Sequence, residues 1–297
     1  MSIQRNKLNI VKARRRVRMR SALLLTLGAG AVVLALRFAH LGGRLGMWAD
    51  MLSTLVCFGG GAYLGLCVLD GDHRKIVPLR ALSRAQILWL SLLGVLAVAP
   101  MTLAHDLTGK LVSISHETAL SAPQRPVAFL QTVVKSALIA PICEELFFRG
   151  YLLHALERFG RMRAAVVTAL CFALVHPLEG FAPLALLGLL LCWMTKRTHS
   201  LLAPVLVHMS YNMTIILISH LGLSALFSGW SFVSCALRLV LCAAFAAVLR
   251  RAYTARAEMA SFTLWEGGAL TRREMALLIG TVLLFAATLM TRRLVGL

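Results

Sequence analysis

The chain has 297 residues, of which 59% are hydrophobic and 14% charged, and its formal net charge is +19. A soluble domain carries about 45–50% apolar and about 25% charged residues, so the composition excludes an ordinary soluble fold. The positive charge would suggest a nucleic-acid partner in a soluble protein, but its placement along the chain gives it another meaning.

Crossing hydrocarbon takes about 20 residues of helix, and the apolar residues lie in blocks of about that length. A basic segment at 1–20 comes first, with Arg5, Lys7, Lys12, Arg14, Arg15, Arg16, Arg18 and Arg20. Its basic region is too long for a signal peptide and no small-residue cleavage pattern follows, so 21–38 reads as an uncleaved first helix. Further apolar blocks fall at 47–69, 85–104, 127–155, 163–176, 182–195, 200–221, 230–249 and 275–291. They predict an all-α fold, a polytopic transmembrane helical bundle of about eight to nine membrane-spanning helices. The expected organisation is a basic cytoplasmic N-terminal segment at 1–20, a transmembrane bundle at 21–250, and a basic segment with an additional transmembrane helix at 251–297. No soluble domain or internal repeat is visible.

Basic residues cluster on alternate connections. Arg74, Lys75, Arg80 and Arg84 form one group. Arg158, Arg161 and Arg163 form the next, then Lys196 and Arg197, then Arg250, Arg251, Arg256, Arg272 and Arg273. The intervening connections hold only Arg37, Arg44, Lys110, Arg125, Arg292 and Arg293. This positive-inside bias predicts a cytoplasmic N-terminus, although the last block has basic pairs on both sides. Orientation and attraction to anionic lipid account for the charge, and no nucleic-acid partner is expected. The seven cysteines (Cys57, Cys67, Cys143, Cys171, Cys192, Cys235 and Cys242) all fall in apolar blocks without a C-x-x-C pair. They read as small packing residues. The basic start and compact build point to a bacterial inner membrane.

Ionisable side chains inside a span are costly and usually mark function. The block at 127–155 contains Glu144, Glu145 and Arg149; the next ends in Phe172-Ala173-Leu174-Val175-His176; the block at 200–221 contains His208 and Asn212. Glu145 and Arg149 are four apart and can pair along one helix face. Glu144 is rotated from that face by about 100°, which leaves it to look toward other helices. Phe172 and His176 are four apart, as are His208 and Asn212. Counting about 1.5 Å per residue from the expected cytoplasmic ends, Glu144 lies roughly 18 Å deep, His176 roughly 20 Å, and His208 and Asn212 roughly 12 and 18 Å. One polar cavity near the middle of the bilayer can therefore collect all four. Lys135 is expected to snorkel to the outer interface and His154 to sit at the inner one. Arg238 has no evident partner. The connection through Pro177, Glu179, Gly180 and Pro183 reads either as a cap on the cavity or as an ordinary turn.

In order, these residues form E-E-x-x-x-R, F-x-x-x-H and H-x-x-x-N. The chain thereby resembles the CAAX protease and bacteriocin-processing (CPBP) family of intramembrane proteases, also called the ABI family, over about 127–221. The resemblance implies an endopeptidase in which glutamate and histidine activate one water. Glu144 is then the general base, His176 its partner on the water, and His208 and Asn212 the stabilisers of the oxyanion. Glu145, Arg149 and Phe172 support the site. A buried carboxyl suits general-base chemistry near neutral pH, and donors aimed at an oxyanion in a dry site supply a large share of catalysis.

No cofactor is expected. The alternative is zinc on Glu144, His176 and His208 plus water, although the H-E-x-x-H motif is absent. The implied partner is a membrane-associated protein or peptide substrate, met in CAAX-type processing, peptide maturation or bacteriocin self-immunity, with the lipid bilayer around it. The sequence does not address the oligomeric state. Two other readings use the same polar residues: an ion or solute transporter, which lacks the expected inverted repeats here, and a catalytically silent scaffold.

Overall fold

A computed structural model describes residues 51–52, 54–68, 77–112, 126–157, 160–176 and 180–254, together with the isolated helical positions 24 and 28. The basic segment 1–20, almost all of the expected first helix at 21–38, and the block at 275–291 lie outside the described residues. So do Pro177 and Glu179 of the connection after His176.

Among the described residues every regular element is a helix. They are α1 (Leu55–Cys67) and α2 (Arg84–Val112), α3 (Pro126–Leu156) and α4 (Arg161–Leu174), α5 (Phe181–Thr198) and α6 (Leu202–His220), the short α7 (Ser224–Phe227), and α8 (Phe232–Thr254). The segments Arg84–Thr108, Pro126–Leu156, Leu202–His220 and Phe232–Ala252 are long and apolar enough to cross a membrane. Helix α4 has 14 residues. At about 1.5 Å per residue it covers about 21 Å, short of a hydrocarbon core of about 30 Å. Four helices long and apolar enough to cross are therefore present among the described residues, and the expected total of about eight to nine reaches beyond them.

Local chemistry sets the helix ends. Before α2, the Ser83 amide donates to Gln86 Oε1 at 2.9 Å while the Gln86 amide donates to Ser83 Oγ at 3.3 Å, a reciprocal cap. Pro100 lies inside α2 and removes one donor. Just beyond it, the Thr102 hydroxyl turns back to the carbonyls of Val98 and Ala99, at 2.9 and 3.1 Å. Helix α2 runs past the expected end at 104, so His105 and Asp106 lie on the helix and not in a connection. Gly160 precedes α4 with φ of 101°, a conformation that a Cβ would disfavour.

Helix α3 is not uniform. It widens to π-helix over Val133–Ile139, returns to α over Ala140–Glu145, widens again over Leu146–Leu152, and closes with Leu153–Leu156. The first widening ends where Pro141 enters; its ring would crowd a carbonyl four residues back in a regular α-helix. Such π-turns recur at functional sites. Here they bracket the two glutamates.

Two apolar clusters hold the bundle. In one, Phe58 of α1 packs with Phe147, Phe148 and Tyr151 of α3 and Phe172 of α4. In the other, Leu93 and Met101 of α2 meet Leu187 and Leu191 of α5 and Val207 of α6. Glycine permits the closest crossings. A Cβ on Gly94 would lie 2.4 Å from the Val207 carbonyl oxygen, and one on Gly188 2.9 Å from Ala169 Cα. Small residues let membrane helices approach in this way, where packing replaces the hydrophobic drive.

Candidate functional site

Helices α3, α4 and α6 converge on a buried polar cluster, with α5 behind it. Glu145 and Arg149 are fully enclosed: Arg149 Nη1 donates to Glu145 Oε1 at 2.8 Å. The spacing of four survives the second π-segment, which begins right after Glu145. Arg149 Nη2 donates to the Gly188 carbonyl of α5 at 3.2 Å. Its guanidinium lies over the Phe172 ring, 4.5 Å from the centroid. The cation thus has a carboxylate, a carbonyl and an aromatic face, and that is how a charge persists in an apolar interior.

Glu144 looks the other way, as the helical rotation requires. Its Oε2 lies 3.8 Å from His176 Nε2 and 3.9 Å from His208 Nε2. Both separations exceed a direct hydrogen bond and match what one bridging water spans. His176 sits just beyond α4, which ends at Leu174 and not at 176 as the apolar block suggested. Its amide donates to the Ala173 carbonyl at 3.2 Å, and its Nδ1 lies 2.8 Å from the Phe172 carbonyl oxygen. A carbonyl only accepts, so Nδ1 carries a proton, and Nε2 is the nitrogen that faces Glu144.

His208, on α6, is buried. Its Nδ1 lies 2.9 Å from Glu145 Oε1. Its ring meets Phe172 edge-on at 5.5 Å, and Phe172 also stands 4.8 Å from the His176 ring. Phe172 therefore touches both histidines and the arginine. One turn further along α6, Asn212 Nδ2 donates to the Ser136 carbonyl at 2.7 Å, inside the first π-segment of α3. One amide hydrogen of Asn212 is thus engaged and the other is left to serve a second acceptor.

Three partnerships could not be read from spacing, because each joins different helices. They are Glu145 with His208, Asn212 with the Ser136 carbonyl, and Arg149 with the Gly188 carbonyl. A fourth corrects an expectation. Arg238 is fully buried and paired: its Nη1 donates to Asp106 Oδ2 of α2 at 2.6 Å, and it also bonds the carbonyls of Ser234 and Gly229. The signal was an acid within the last turns of an apolar helix, hidden because the expected helix ended at 104, two residues before Asp106. At the opposite end of the bundle, His154 of α3 lies 3.3 Å from Glu157, which also meets Lys196 of α5. Among the described residues, no group of three or more His, Cys, Asp or Glu side chains is arranged to hold a metal ion.

Apolar helices that enclose carboxylates, histidines and an arginine in their midst define an integral membrane protein with an internal polar site. The family model described as type II CAAX prenyl endopeptidase Rce1-like matches residues 126–214, from the start of α3 to within α6, which includes every residue of the cluster. An Escherichia coli protein named "Uncharacterized 24.3 kDa protein" is 30% identical over 157 residues, 48% of this chain and 70% of that relative. No solved structure gives a significant match. The chain belongs to the type II CAAX prenyl endopeptidase Rce1-like family, a family of membrane proteases.

Proposed function

We propose that the protein is an intramembrane endopeptidase that cleaves a membrane-associated protein or peptide by glutamate- and histidine-activated water, without a metal. The observation that carries this reading is that Glu144 Oε2 and His176 Nε2 face each other 3.8 Å apart; in the proposed mechanism His176 is neutral, so both atoms accept. A water between two acceptors gives a hydrogen to each and turns its lone pairs outward, toward a scissile carbonyl. Glu144 takes the proton as attack proceeds and returns it to the leaving amine. His208 serves the oxyanion from Nε2 in its doubly protonated form, in which Glu144, Glu145, Arg149 and His208 balance in charge. Asn212 serves it with its second amide hydrogen. In the rival zinc reading Glu144, His176 and His208 would have to draw together from their present arrangement to hold the ion, which would supply Lewis acidity.

The reading extends to CAAX-type tails, maturing peptides or bacteriocin-like peptides as substrates. It places the protein in a bacterial inner membrane with the N-terminus in the cytoplasm. The test is cleavage of membrane-anchored peptides by purified protein, with and without a strong chelator. Wild-type protein should cleave in both conditions, and Glu144→Gln should fold but not cleave. Loss on chelation, restored by zinc, would replace the metal-free mechanism. Cleavage unaffected by Glu144→Gln would remove the hydrolytic reading.

A further inference from the structure

We propose that Glu145 is a positioning residue for His208, beyond its pairing with Arg149. Its Oε1 holds the imidazole by Nδ1 and so fixes Nε2 on the Glu144 side. Glu145 Oε1 accepts from Arg149 Nη1 at 2.8 Å and lies 2.9 Å from His208 Nδ1. Its Oε2 is buried and has no hydrogen-bond partner among the described residues, so Oε1 carries both contacts. A carboxylate in an ion pair with a guanidinium only accepts. The proton in the His208 contact therefore sits on Nδ1. The imidazole has two nitrogens; with Nδ1 tied down, Nε2 is the one left for the reacting region, 3.9 Å from Glu144 Oε2. Phe172 packs edge-on against the same ring at 5.5 Å. Arg149 anchors the carboxylate through Gly188 of α5, so the orientation of a group on α6 is set by α3 and α5 together. Carboxylates that hold a histidine from behind are a general device for fixing its ring orientation and which nitrogen faces the site.

The catalytic meaning of this contact rests on the hydrolytic reading above, while the contact itself does not. The test therefore has two arms. In the first, full-length protein with 15N-labelled histidine is studied by NMR, with the His208 signals assigned by their loss in His208→Gln. Wild-type His208 should show a protonated Nδ1. In Glu145→Gln the Nδ1 signal should shift or lose its proton. Should that variant fold poorly, Glu145→Gln/Arg149→Met removes both charges together and tests the same point. An unchanged His208 signal in either variant overturns the proposal.

In the second arm, Glu145→Gln should lower kcat by about 10- to 100-fold with KM little altered. Added to His208→Ala, it should cost less than about threefold more, because residues that act as a unit are not additive. An equal loss in both backgrounds would mean that Glu145 acts on the fold alone and would overturn the proposal. A wild-type protein with the expected His208 signal but no cleavage of any membrane peptide would support the positioning and sink the hydrolytic reading.

Discussion

Glu144 and Glu145 are neighbours in the chain and differ in every physical respect that matters. Glu145 spends one oxygen on Arg149 and His208 in the deep interior, whereas Glu144 faces two imidazole nitrogens across gaps of 3.8 and 3.9 Å. Substitution should separate them. Glu144→Gln keeps the shape and should leave thermal stability in detergent within about 1 kcal/mol of wild type while cleavage falls by about 100- to 10,000-fold. Arg149→Ala strands a buried carboxylate and should cost roughly 3–5 kcal/mol, read as a lower melting temperature and a smaller folded yield. Normal melting of Arg149→Ala would count against the pairing as a stabilising element. The pairing was legible in the sequence, because four residues is one helical turn. The outward direction of Glu144 was legible for the same reason. The bond from His208 to Glu145 was not, since 63 residues separate them and only the packing of α6 on α3 joins them. The partner of Arg238 was hidden in the same way, by a separation of 132 positions along the chain.

Helix by helix, apolar runs located the elements well and their ends less well. Helix α2 outlasts its apolar run, and Asp106 there finds a buried partner in Arg238 of α8, so polarity at that point does not mean an exit to water. Helix α4 stops before its run does, which delivers His176 on a turn whose ring still reaches Phe172. The π-turns of α3 left no trace in apolar periodicity, because a widened turn shifts side-chain angles by less than a run of leucines and valines reveals. Their effect is local and testable. The first π-segment contains Ser136, whose carbonyl Asn212 holds. Asn212→Ala should therefore loosen α6 from the first π-segment of α3 and, on the proposed mechanism, also lower cleavage by about 100- to 1000-fold, the loss typical of one oxyanion donor. Faster amide exchange around 133–139 in Asn212→Ala would show the first effect without any substrate. Exchange rates there unchanged from wild type would show that Asn212 does not hold that segment. The crossing of α2 and α6 depends on Gly94. Gly94→Leu should lower the folded yield sharply, because the clash at 2.4 Å is with main chain and not with a flexible side chain.

Across the whole molecule, the family-matched segment 126–214 does not supply its own surroundings. Its α6 packs against α2, and α2 is in turn pinned to α8 by the buried Asp106–Arg238 pair. Both α2 and α8 lie outside the match. A protein cut to residues 126–214 should therefore fail to give folded material in detergent, and recovery of a stable fragment with wild-type-like helicity would contradict this. Breaking the pair on one side, Arg238→Ala, should destabilise by roughly 3–5 kcal/mol, whereas Asp106→Asn/Arg238→Met should cost far less because no lone charge remains. Equal melting temperatures for the two variants would show that the pair is not what ties α8 to the bundle. Topology is decided at this scale too. The basic clusters predict that a reporter fused ahead of Arg5 reads as cytoplasmic, and an extracytoplasmic signal would invert the whole arrangement.

Gly188 carries two duties that cannot be divided. Its lack of a side chain lets α5 lie against Ala169 of α4, and that approach brings its carbonyl within reach of Arg149. Evolution therefore has almost no path through this position. Even alanine would place a carbon 2.9 Å from Ala169 Cα and 3.2 Å from its carbonyl oxygen. A compensating Ala169→Gly clears only the side-chain contact at 3.0 Å and leaves both main-chain ones. A saturation library at residue 188 selected for function should return glycine almost alone, with or without that second change. A change here would have to shift two helices and an arginine together, and the site is locked as much by this crossing as by the polar side chains that line it.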